Sequence, residues 1–389
     1  MIVVKKQFIL YIKSFILIIL SFHFFSSCAY VVRQVVKFKD LPPPQGVYSV
    51  GSKIYTWTDE SRDESFTSDL GDKRRIVVQV WYPIKKRPIN KMPYLDNYKL
   101  RIQPIADQFS QLGVSSKIIS LILADVKNVK TNTEYNAPID SNSSNHFPLI
   151  IFSHGLGGMK NQNSIQIEEL VSNGYVVIAP DHAFDANITI FDNNDIAPFK
   201  ASEYNPNAKY TIEDFYAYRI PQIQTRSKDL SFIINQIQDK QKKSDEELWN
   251  IINLDKIGVF GHSFGGGTSI LTSYNDNRVD AAVALDGWIE PIPNKVVDLG
   301  INKPFLYIGR TEWEDTLNYY KLDKLIENSN AKGKGIILSD TEHFDYTDTP
   351  YFNDITKKIK VSGDMPSKEI VDTLNYYLTT FFNKHLKEN

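Results

Sequence analysis

The chain has 389 residues, of which 44 are basic and 46 are acidic, and its formal net charge is −2. A balance this close to neutral produces no long-range field for nucleic acid or an anionic surface, so we expect no nucleic-acid partner. A single cysteine excludes an intrachain disulfide, and the length suffices for one large α/β domain held by its apolar core.

The N-terminus has the pattern of a lipoprotein signal. Lysines precede an apolar stretch over 15–25, and two serines stand directly before Cys28. Small residues before a cysteine at the end of an apolar segment are what a lipoprotein peptidase requires. We therefore predict a signal peptide over 1–27, a lipid on Cys28, and a membrane-anchored location in the cell envelope, facing away from the cytoplasm. An uncleaved membrane anchor over 8–28 is the alternative.

Residues 28–48 include three consecutive prolines and predict an extended tether. The predicted domain spans 49–389, where short apolar runs alternate with helical patterns. This alternation is typical of a mostly parallel sheet covered by helices on both faces. The predicted strands are 75–83, 148–152, 175–179, 257–260, 281–285, 305–308 and 335–338. Periodic apolar residues predict core-facing helices around 230–237 and 370–381.

Residues 94–147 interrupt this alternation between the first two predicted strands. Apolar residues recur there at helical spacing, at Ile118, Leu121, Ile122 and Val126. We predict an inserted helical cap that forms one wall of a substrate site. A helical hairpin that only covers an edge of the sheet is the alternative.

The pentapeptide GHSFG at 261–265 lies between an apolar strand pattern and a run of small residues that favours a helix. It has the form of a nucleophile elbow, in which a sharp strand-to-helix turn exposes a serine hydroxyl. Glycines on either side are needed because a side chain there would collide with the strand or the helix. We predict an α/β-hydrolase fold with Ser263 as the nucleophile.

A serine nucleophile needs a histidine as its general base, and in this fold the histidine follows the serine in the chain. Only His343 and His385 follow Ser263. His385 lies among lysines at the end of the terminal helical pattern, where a solvated side chain is usual. His343 lies in a loop directly after the last predicted strand, so we predict that His343 is the base.

Two positions fit the acid that orients this histidine. Asp286 ends the strand that follows the elbow helix, whereas Glu314 and Asp315 follow the next strand. The residues alone leave both positions open. For the oxyanion we predict the backbone N–H groups of Leu156, in the glycine-rich turn after the strand over 148–152, and of Phe264, directly after the nucleophile.

Three further histidines occur in polar surroundings. His154 and His262 stand beside glycines at strand ends, which predicts supporting hydrogen bonds rather than catalysis. Asp181 and His182 resemble a metal-binding pair, but neither an HExxH motif nor a Cys/His cluster accompanies them. We therefore expect no metal and no cofactor.

Four segments, taken together, resemble the plasma-type platelet-activating factor acetylhydrolases, which are calcium-independent serine esterases with the α/β-hydrolase fold. The segments are VQVWYP at 78–83, FSHGLG at 152–157, GHSFGG at 261–266 and ALDGW at 284–288. The resemblance implies a catalytic triad of Ser263, Asp286 and His343, with Asp286 supplied by the LDxW segment. It also implies oxyanion donors at Leu156 and Phe264.

The implied activity is hydrolysis of the sn-2 ester of phospholipids whose acyl chain is short or oxidatively truncated. A general carboxylesterase or polyester hydrolase is a second hypothesis, and a panel of ester substrates separates the two. A third hypothesis is a non-catalytic surface lipoprotein that binds a glycan or a partner protein. That protein would not react with a fluorophosphonate, whereas either esterase would.

Overall fold

A computed structural model describes residues 37–69, 71–110, 113–139, 146–200, 211–244, 246–313, 316–330 and 332–388. The predicted signal peptide and Cys28 lie outside these residues. The two alternative acids, Glu314 and Asp315, also lie outside them.

Twelve strands occur in the described ranges, and ten of them form one sheet in the order β12-β11-β10-β9-β5-β6-β2-β1-β4-β3. They are β1 (Ser49–Asp63), β2 (Lys73–Ile84), β3 (Lys91–Pro93), β4 (Lys130–Tyr135), β5 (Phe147–Ser153), β6 (Val176–His182), β7 (Ile188–Ile190), β8 (Ile196–Pro198), β9 (Ile252–His262), β10 (Ala281–Leu285), β11 (Phe305–Arg310) and β12 (Gly333–Leu338). The six strands from β12 to β6 are parallel, and β2 is antiparallel to both of its neighbours. The α/β-hydrolase fold predicted from the sequence is confirmed.

Helices cover both faces of this sheet. They are α1 (Tyr98–Phe109), α2 (Ser116–Ile122), α3 (Ser164–Ser172), α4 (Ile212–Lys243), α5 (Glu247–Asn250), α6 (Phe264–Asn275), α7 (Asn294–Leu299), α8 (Thr316–Asn328), α9 (Thr349–Phe352), α10 (Ile355–Lys358) and α11 (Ser367–Phe382). Within the part of the chain described here, none of the helices combines the length and the apolar character needed to cross a bilayer.

The core consists of two large apolar clusters, one on each face of the sheet. Successive residues of β5 belong to different clusters. Leu149 and Ile151 lie in one cluster, and Ile150 and Phe152 lie in the other. Helices α4, α6 and α8 supply the first cluster, and α3 and α11 supply the second. Strands buried on both faces are therefore apolar at nearly every position, which is the pattern found in the sequence.

The inserted segment is helical only in part. Helices α1 and α2 and a 3₁₀ helix (Leu123–Asn128) form its first portion, as predicted. Its end was wrongly predicted, because β4 pairs in parallel with β1 and extends the main sheet. The sequence of β4, KTNTEY, is polar, and its buried polar groups are satisfied by the carboxylate of Glu168, which accepts from the Asn132 N–H and from the Thr133 hydroxyl.

The second half of the predicted tether is part of the folded domain. The N–H groups of Lys39 and Leu41 donate to the carbonyls of Phe352 and Lys130, and the side chain of Leu41 is buried. Tyr48 N–H donates to a carbonyl at the end of α3. Residues 37–48 have no regular structure before β1, but these contacts hold them against the surface, so the proline run does not make them a free linker.

Candidate active site

The elbow at Ser263 is a sharp turn between β9 and α6. Ser263 has φ of 56° and ψ of −123°, a conformation that an L-residue adopts only when its surroundings enforce it. A Cβ added at Gly265 would lie 2.0 Å from the carbonyl oxygen of Ser153, and one at Gly261 would lie 2.2 Å from the carbonyl oxygen of Gly265. Only glycine fits at these positions, because α6 packs backbone to backbone against the strands.

The backbone of the elbow is tied to the end of β10. Ser263 N–H donates to the Leu285 carbonyl at 3.0 Å, and the Ser263 carbonyl accepts from Trp288 N–H at 2.8 Å. Asp286 lies between these two residues. The same hydrogen bonds that hold the strained serine therefore place a carboxylate beside it.

Asp286 is fully buried and accepts three hydrogen bonds. Its carboxylate accepts from His343 Nδ1 at 2.6 Å, from the Trp313 indole N–H at 3.0 Å and from the Arg310 backbone N–H at 3.2 Å. The Arg310 guanidinium Nε lies 3.3 Å from the carboxylate. Burial alone would raise the pKa of Asp286, but the hydrogen bond to His343 and the nearby positive charge outweigh burial and lower this pKa. The carboxylate is therefore ionised at neutral pH.

His343 begins a short 3₁₀ helix (His343–Tyr346) that follows β12. Because the Asp286 carboxylate can only accept, Nδ1 of His343 carries a proton, and in the neutral form of the ring the lone pair is therefore on Nε2. The rings of Trp313 and His262 pack against the imidazole, with centroid distances of 5.3 Å and 4.5 Å. His343 and Ser263 line the same cavity.

The loop after β5 runs directly beside the serine. A Cβ added at Gly155 would lie 3.3 Å from the Cβ of Ser263. Across the described ranges, neither the Leu156 N–H nor the Phe264 N–H donates a hydrogen bond to another residue. Phe264 is the first residue of α6, where the N–H group has no intrahelical acceptor. Among the described residues, these two backbone donors thus have no protein acceptor, and both belong to segments that lie next to Ser263.

His154 and His262 both make buried hydrogen bonds, as the sequence predicted. The ring of His154 contacts the Gly155 carbonyl and accepts from His182 N–H. His262 contacts the side chain of Gln162 and the carbonyl of His343. Burial lowers the pKa of His154, and burial together with the charge of His343 lowers the pKa of His262 to about 3, so both imidazoles are neutral.

Asp181 and His182 do not share a site. They are adjacent on β6, so their side chains leave opposite faces of the strand. Asp181 accepts from Arg101 at 2.7 Å, whereas His182 faces the other side. There its Nε2 lies 3.0 Å from the Ser153 hydroxyl and its Nδ1 lies 2.8 Å from the carboxylate of Asp229.

This second Ser-His-Asp arrangement was not predicted, and no motif marks it. Ser153, His182 and Asp229 come from three separate elements, and all three side chains are fully buried. None of them lines the cavity that contains Ser263. Without access to a substrate, the hydroxyl of Ser153 can only support the end of β5 and the loop that follows it.

A cavity of about 490 Å³ lies over Ser263 and His343. Helices α1 and α2 and the 3₁₀ helix after them form one side, with Ile102, Ile105, Phe109, Ile119, Ile122, Leu123 and Val126. The opposite side comes from 352–361, with Phe352, Ile355, Ile359 and Val361. Its lining within the described residues includes no Asp, Glu, Lys or Arg. The inserted segment therefore forms a wall of the site, and a hydrocarbon chain fits its apolar surface.

Comparison with known families decides the relationship of this chain. The sequence profile described as "Platelet-activating factor acetylhydrolase, isoform II" matches residues 34–389, which is most of the chain. The chain belongs to this family. The resemblance inferred from four short segments of the sequence is confirmed.

Members of the acetylhydrolase family from distant organisms align with much of the chain. The "Platelet-activating factor acetylhydrolase" of Gallus gallus is 28% identical over 271 residues, 62% of each chain. That of Canis lupus familiaris is 29% identical over 290 residues, 69% of this chain and 63% of its own. The chain thus spans a little over three fifths of these two relatives. A "Probable 1-alkyl-2-acetylglycerophosphocholine esterase" of Arthroderma benhamiae is 24% identical over 364 residues, 88% of this chain and 87% of its own.

A solved structure supports the same fold. The ferulic acid esterase from Streptomyces cinnamoneus superimposes with a TM-score of 0.68, covering 90% of this chain and 94% of that one. The two sequences are only 21% identical. The fold of this chain is therefore shared with this esterase, although only about a fifth of the aligned residues are identical.

Proposed function

We propose that this protein is a serine esterase that hydrolyses short-chain or oxidised acyl esters of phospholipids through an acyl-enzyme. One observation carries the proposal. Ser263, held in a strained elbow, lines the same cavity as His343, whose other ring nitrogen is bonded to the buried carboxylate of Asp286. This combination of nucleophile, base and orienting acid is what acyl transfer by a serine requires.

In the proposed mechanism, the Ser263 hydroxyl attacks the ester carbonyl carbon while His343 Nε2 accepts its proton. The N–H groups of Leu156 and Phe264 donate to the oxyanion of the tetrahedral intermediate. The intermediate collapses, the ester C–O bond breaks, and His343 returns the proton to the leaving alcohol. Water, deprotonated by His343, then attacks the acyl carbon of the acyl-enzyme. The bond between this carbon and Ser263 Oγ breaks, the acid is released, and His343 returns the proton to Ser263. Asp286 stays ionised and stabilises the imidazolium.

The lining of the cavity supports a lipid-like substrate. Val114 and Ile359 both line the cavity and are 39% and 55% exposed, so its opening is apolar as well. An uncharged ester with a hydrocarbon chain loses little hydration on entering such a site, whereas a charged acyl group would meet no counter-charge. Family membership and the names of the relatives support a phospholipid with a short acyl group.

We further propose that the enzyme is anchored to a membrane in the cell envelope through a lipid on Cys28. The signal-like pattern over 1–27 supports this, and the family match begins at residue 34, after the proposed anchor. The anchor would hold the active site near its phospholipid substrate.

A less selective carboxylesterase or polyester hydrolase is the second candidate. The size of the cavity, about 490 Å³, favours it, because an acetyl group fills only a small part of that volume. Turnover of an acetyl phospholipid, p-nitrophenyl butyrate and a soluble polyester would separate the two. A kcat/KM for the phospholipid at least tenfold above that for p-nitrophenyl butyrate supports the phospholipid esterase.

The nucleophile is tested by labelling with a fluorophosphonate probe followed by peptide mapping. We expect the label on Ser263 of the wild-type chain and complete loss of labelling and of p-nitrophenyl acetate turnover in Ser263→Ala. Ser153→Ala is the matched control, since Ser153 also has a histidine partner but is buried, and it should still label at Ser263. A folded wild-type chain that takes no label would favour the non-catalytic lipoprotein instead.

A further inference from the structure

The side chain of Gln162 connects three parts of the site. Its Oε1 accepts from the Gly155 N–H at 3.2 Å, in the loop that carries the proposed oxyanion donor Leu156. Its Nε2 lies 2.8 Å from Nδ1 of His262, the residue before the nucleophile. The other nitrogen of His262, Nε2, lies 2.9 Å from the backbone carbonyl of His343.

In this series of hydrogen bonds, the carbonyl of His343 is the last acceptor, and it sets the direction of each bond. The His343 carbonyl can only accept, so Nε2 of His262 donates to it. Nδ1 of His262, which is neutral because burial lowers its pKa to about 3, must then accept from the amide of Gln162. The amide oxygen of Gln162 is thereby left to accept from Gly155 N–H. A glutamine is the side chain that can donate to the ring and accept from the loop at once.

We propose that Gln162 is a positioning residue, which holds the oxyanion loop and the base at fixed places relative to Ser263. The inference rests on the proposed esterase function. Gln162 acts through Gly155 and His262, and it takes no part in the transfer of the acyl group or the proton.

The packing around the amide argues that its position matters. A Cβ added at Gly158 would lie 2.1 Å from Oε1 of Gln162, so the loop closes directly on this side chain. Without the amide, the Gly155 N–H and the His262 Nδ1 would lose their hydrogen-bond partner. The positions of Leu156 and His343 would then no longer be coupled through one side chain. Errors of about 1 Å in such groups lower turnover strongly, because the hydrogen bonds are needed in the transition state.

The backbone of Gln162 is held independently of its side chain. Its N–H donates to the Met159 carbonyl at 3.0 Å, and its carbonyl accepts from Asp348 N–H at 3.1 Å. Substitution of the side chain therefore leaves the path of the chain in place. We expect such variants to fold.

The first test compares Gln162→Leu with the wild type, using p-nitrophenyl acetate as the substrate. We expect kcat to fall at least tenfold, KM to change less than threefold, and the melting temperature to stay within a few degrees. Gln103→Leu, at an exposed glutamine on α1, is the matched control and should keep wild-type kinetics. A Gln162→Leu enzyme with wild-type kcat and an unchanged pH profile would overturn the proposal.

The second test uses Gln162→Glu, which retains the shape of glutamine but cannot donate when ionised. When the introduced carboxyl group is ionised, neutral His262 has only one N–H and cannot donate both to this group and to the His343 carbonyl. The pair formed by His262 and the introduced carboxyl group must gain one proton before both hydrogen bonds can form. Within the described residues, the charged groups that act on His262 are His343, Asp286 and Arg310, and all three are present in both variants. We expect the ratio of kcat for Gln162→Glu to kcat for Gln162→Leu to rise at least fivefold between pH 8 and pH 5.5, and a constant ratio would contradict the role of the donated hydrogen bond.

These outcomes separate the inference from the function on which it rests. If Ser263 labels and the wild-type enzyme turns over while Gln162→Leu is equally active, only the inference fails. If the folded wild-type chain neither labels nor turns over, the esterase function fails, and the inference fails with it. Should Gln162→Leu not fold, the pH profile of Gln162→Glu against that of the wild type decides, and identical profiles would overturn the inference.

Discussion

At the scale of single residues, Asp286 is the carboxylate that contacts the imidazole of His343. Asp286 meets the geometric requirement, because its carboxylate lies 2.6 Å from His343 Nδ1 and is held by Trp313 and Arg310. Its own φ of 39° is strained, like that of Ser263. Strain at two neighbouring turns indicates that the surrounding fold enforces the placement of both side chains.

We expect Asp286→Asn to lower kcat by about 10³- to 10⁴-fold with little change in KM, because an amide no longer fixes the tautomer of His343 or stabilises its charged form. Steady-state kinetics with p-nitrophenyl acetate measure this effect. Glu314→Gln and Asp315→Asn are the controls, since these residues are the other acid candidates. A large loss in either control together with an active Asp286→Asn enzyme would assign the acid to the later position.

At the scale of elements, the site depends on how closely α6 approaches the sheet. The helix packs against the end of β5 at Gly265, and it also packs against Trp288, where a Cβ at Gly267 would lie 2.2 Å from a carbonyl oxygen. Small residues at the start of α6 thus bring Ser263, the loop after β5 and the LDxW segment together. A helix placed even about 1 Å farther from the sheet would separate these groups.

We expect Gly265→Ala to abolish activity and to destabilise the domain by about 1–3 kcal/mol or more, because the added methyl group overlaps the Ser153 carbonyl. Thermal unfolding and fluorophosphonate labelling measure the two effects. Gly335→Ala in β12 is the matched control, since its nearest neighbour would be a side-chain carbon at 3.5 Å. Equal melting temperatures for the two variants would mean that α6 can move away from the sheet without a loss of stability.

At the scale of the whole molecule, buried ionisable groups attach the inserted segment to the rest of the domain. Arg101 of α1 donates to Asp181 of the central sheet at 2.7 Å, and both side chains are fully buried. Glu168 of α3 accepts from the backbone and side chain of Asn132 in β4. The helices that line the cavity are therefore fastened at both ends, which fixes the shape of the substrate site.

The carboxyl group of Glu168 should make stability depend on pH. Burial raises its pKa to about 7, so the folded state holds a proton that the unfolded chain releases above about pH 4.5. The stabilisation is complete below that pH and is lost as the pH rises through 7. Relative to Glu168→Gln, the wild type should lose up to about 3 kcal/mol of unfolding free energy between pH 4.5 and pH 7.5.

Urea unfolding of both proteins at several pH values measures this difference. The exposed Glu60→Gln serves as the control for removal of one carboxyl group. If the difference between wild type and Glu168→Gln were constant with pH, the buried carboxyl group would have to titrate at its unfolded pKa. The coupling of β4 to α3 would then not depend on the proton of Glu168.

The parts of the fold that the sequence does not reveal are those whose burial depends on distant partners. Strand β1 (SVGSKIYTWTDESRD) was not predicted, because it is polar at many positions and only its pairing with β2 makes it a strand. Strand β4 was predicted as part of the helical cap for the same reason, because its sequence is polar and only its pairing with β1 makes it a strand. Leu41 is buried in an apolar cluster whose other members, such as Phe352 of α9, are distant in sequence, and the proline-rich segment around Leu41 therefore has the local pattern of a linker.

The sequence by itself determined the central parallel sheet, the glycine-flanked turn at Ser263 and the family, and it predicted His343 as the base. These depend on local patterns, namely continuous apolar runs, glycines at a tight turn and the order of residues along the chain. Only the tertiary structure decided which carboxylate reaches His343, that Ser153, His182 and Asp229 meet in the core, and that Gln162 joins the loop to the base. Such hydrogen bonds connect residues from separate elements, and no local pattern encodes the distance between them.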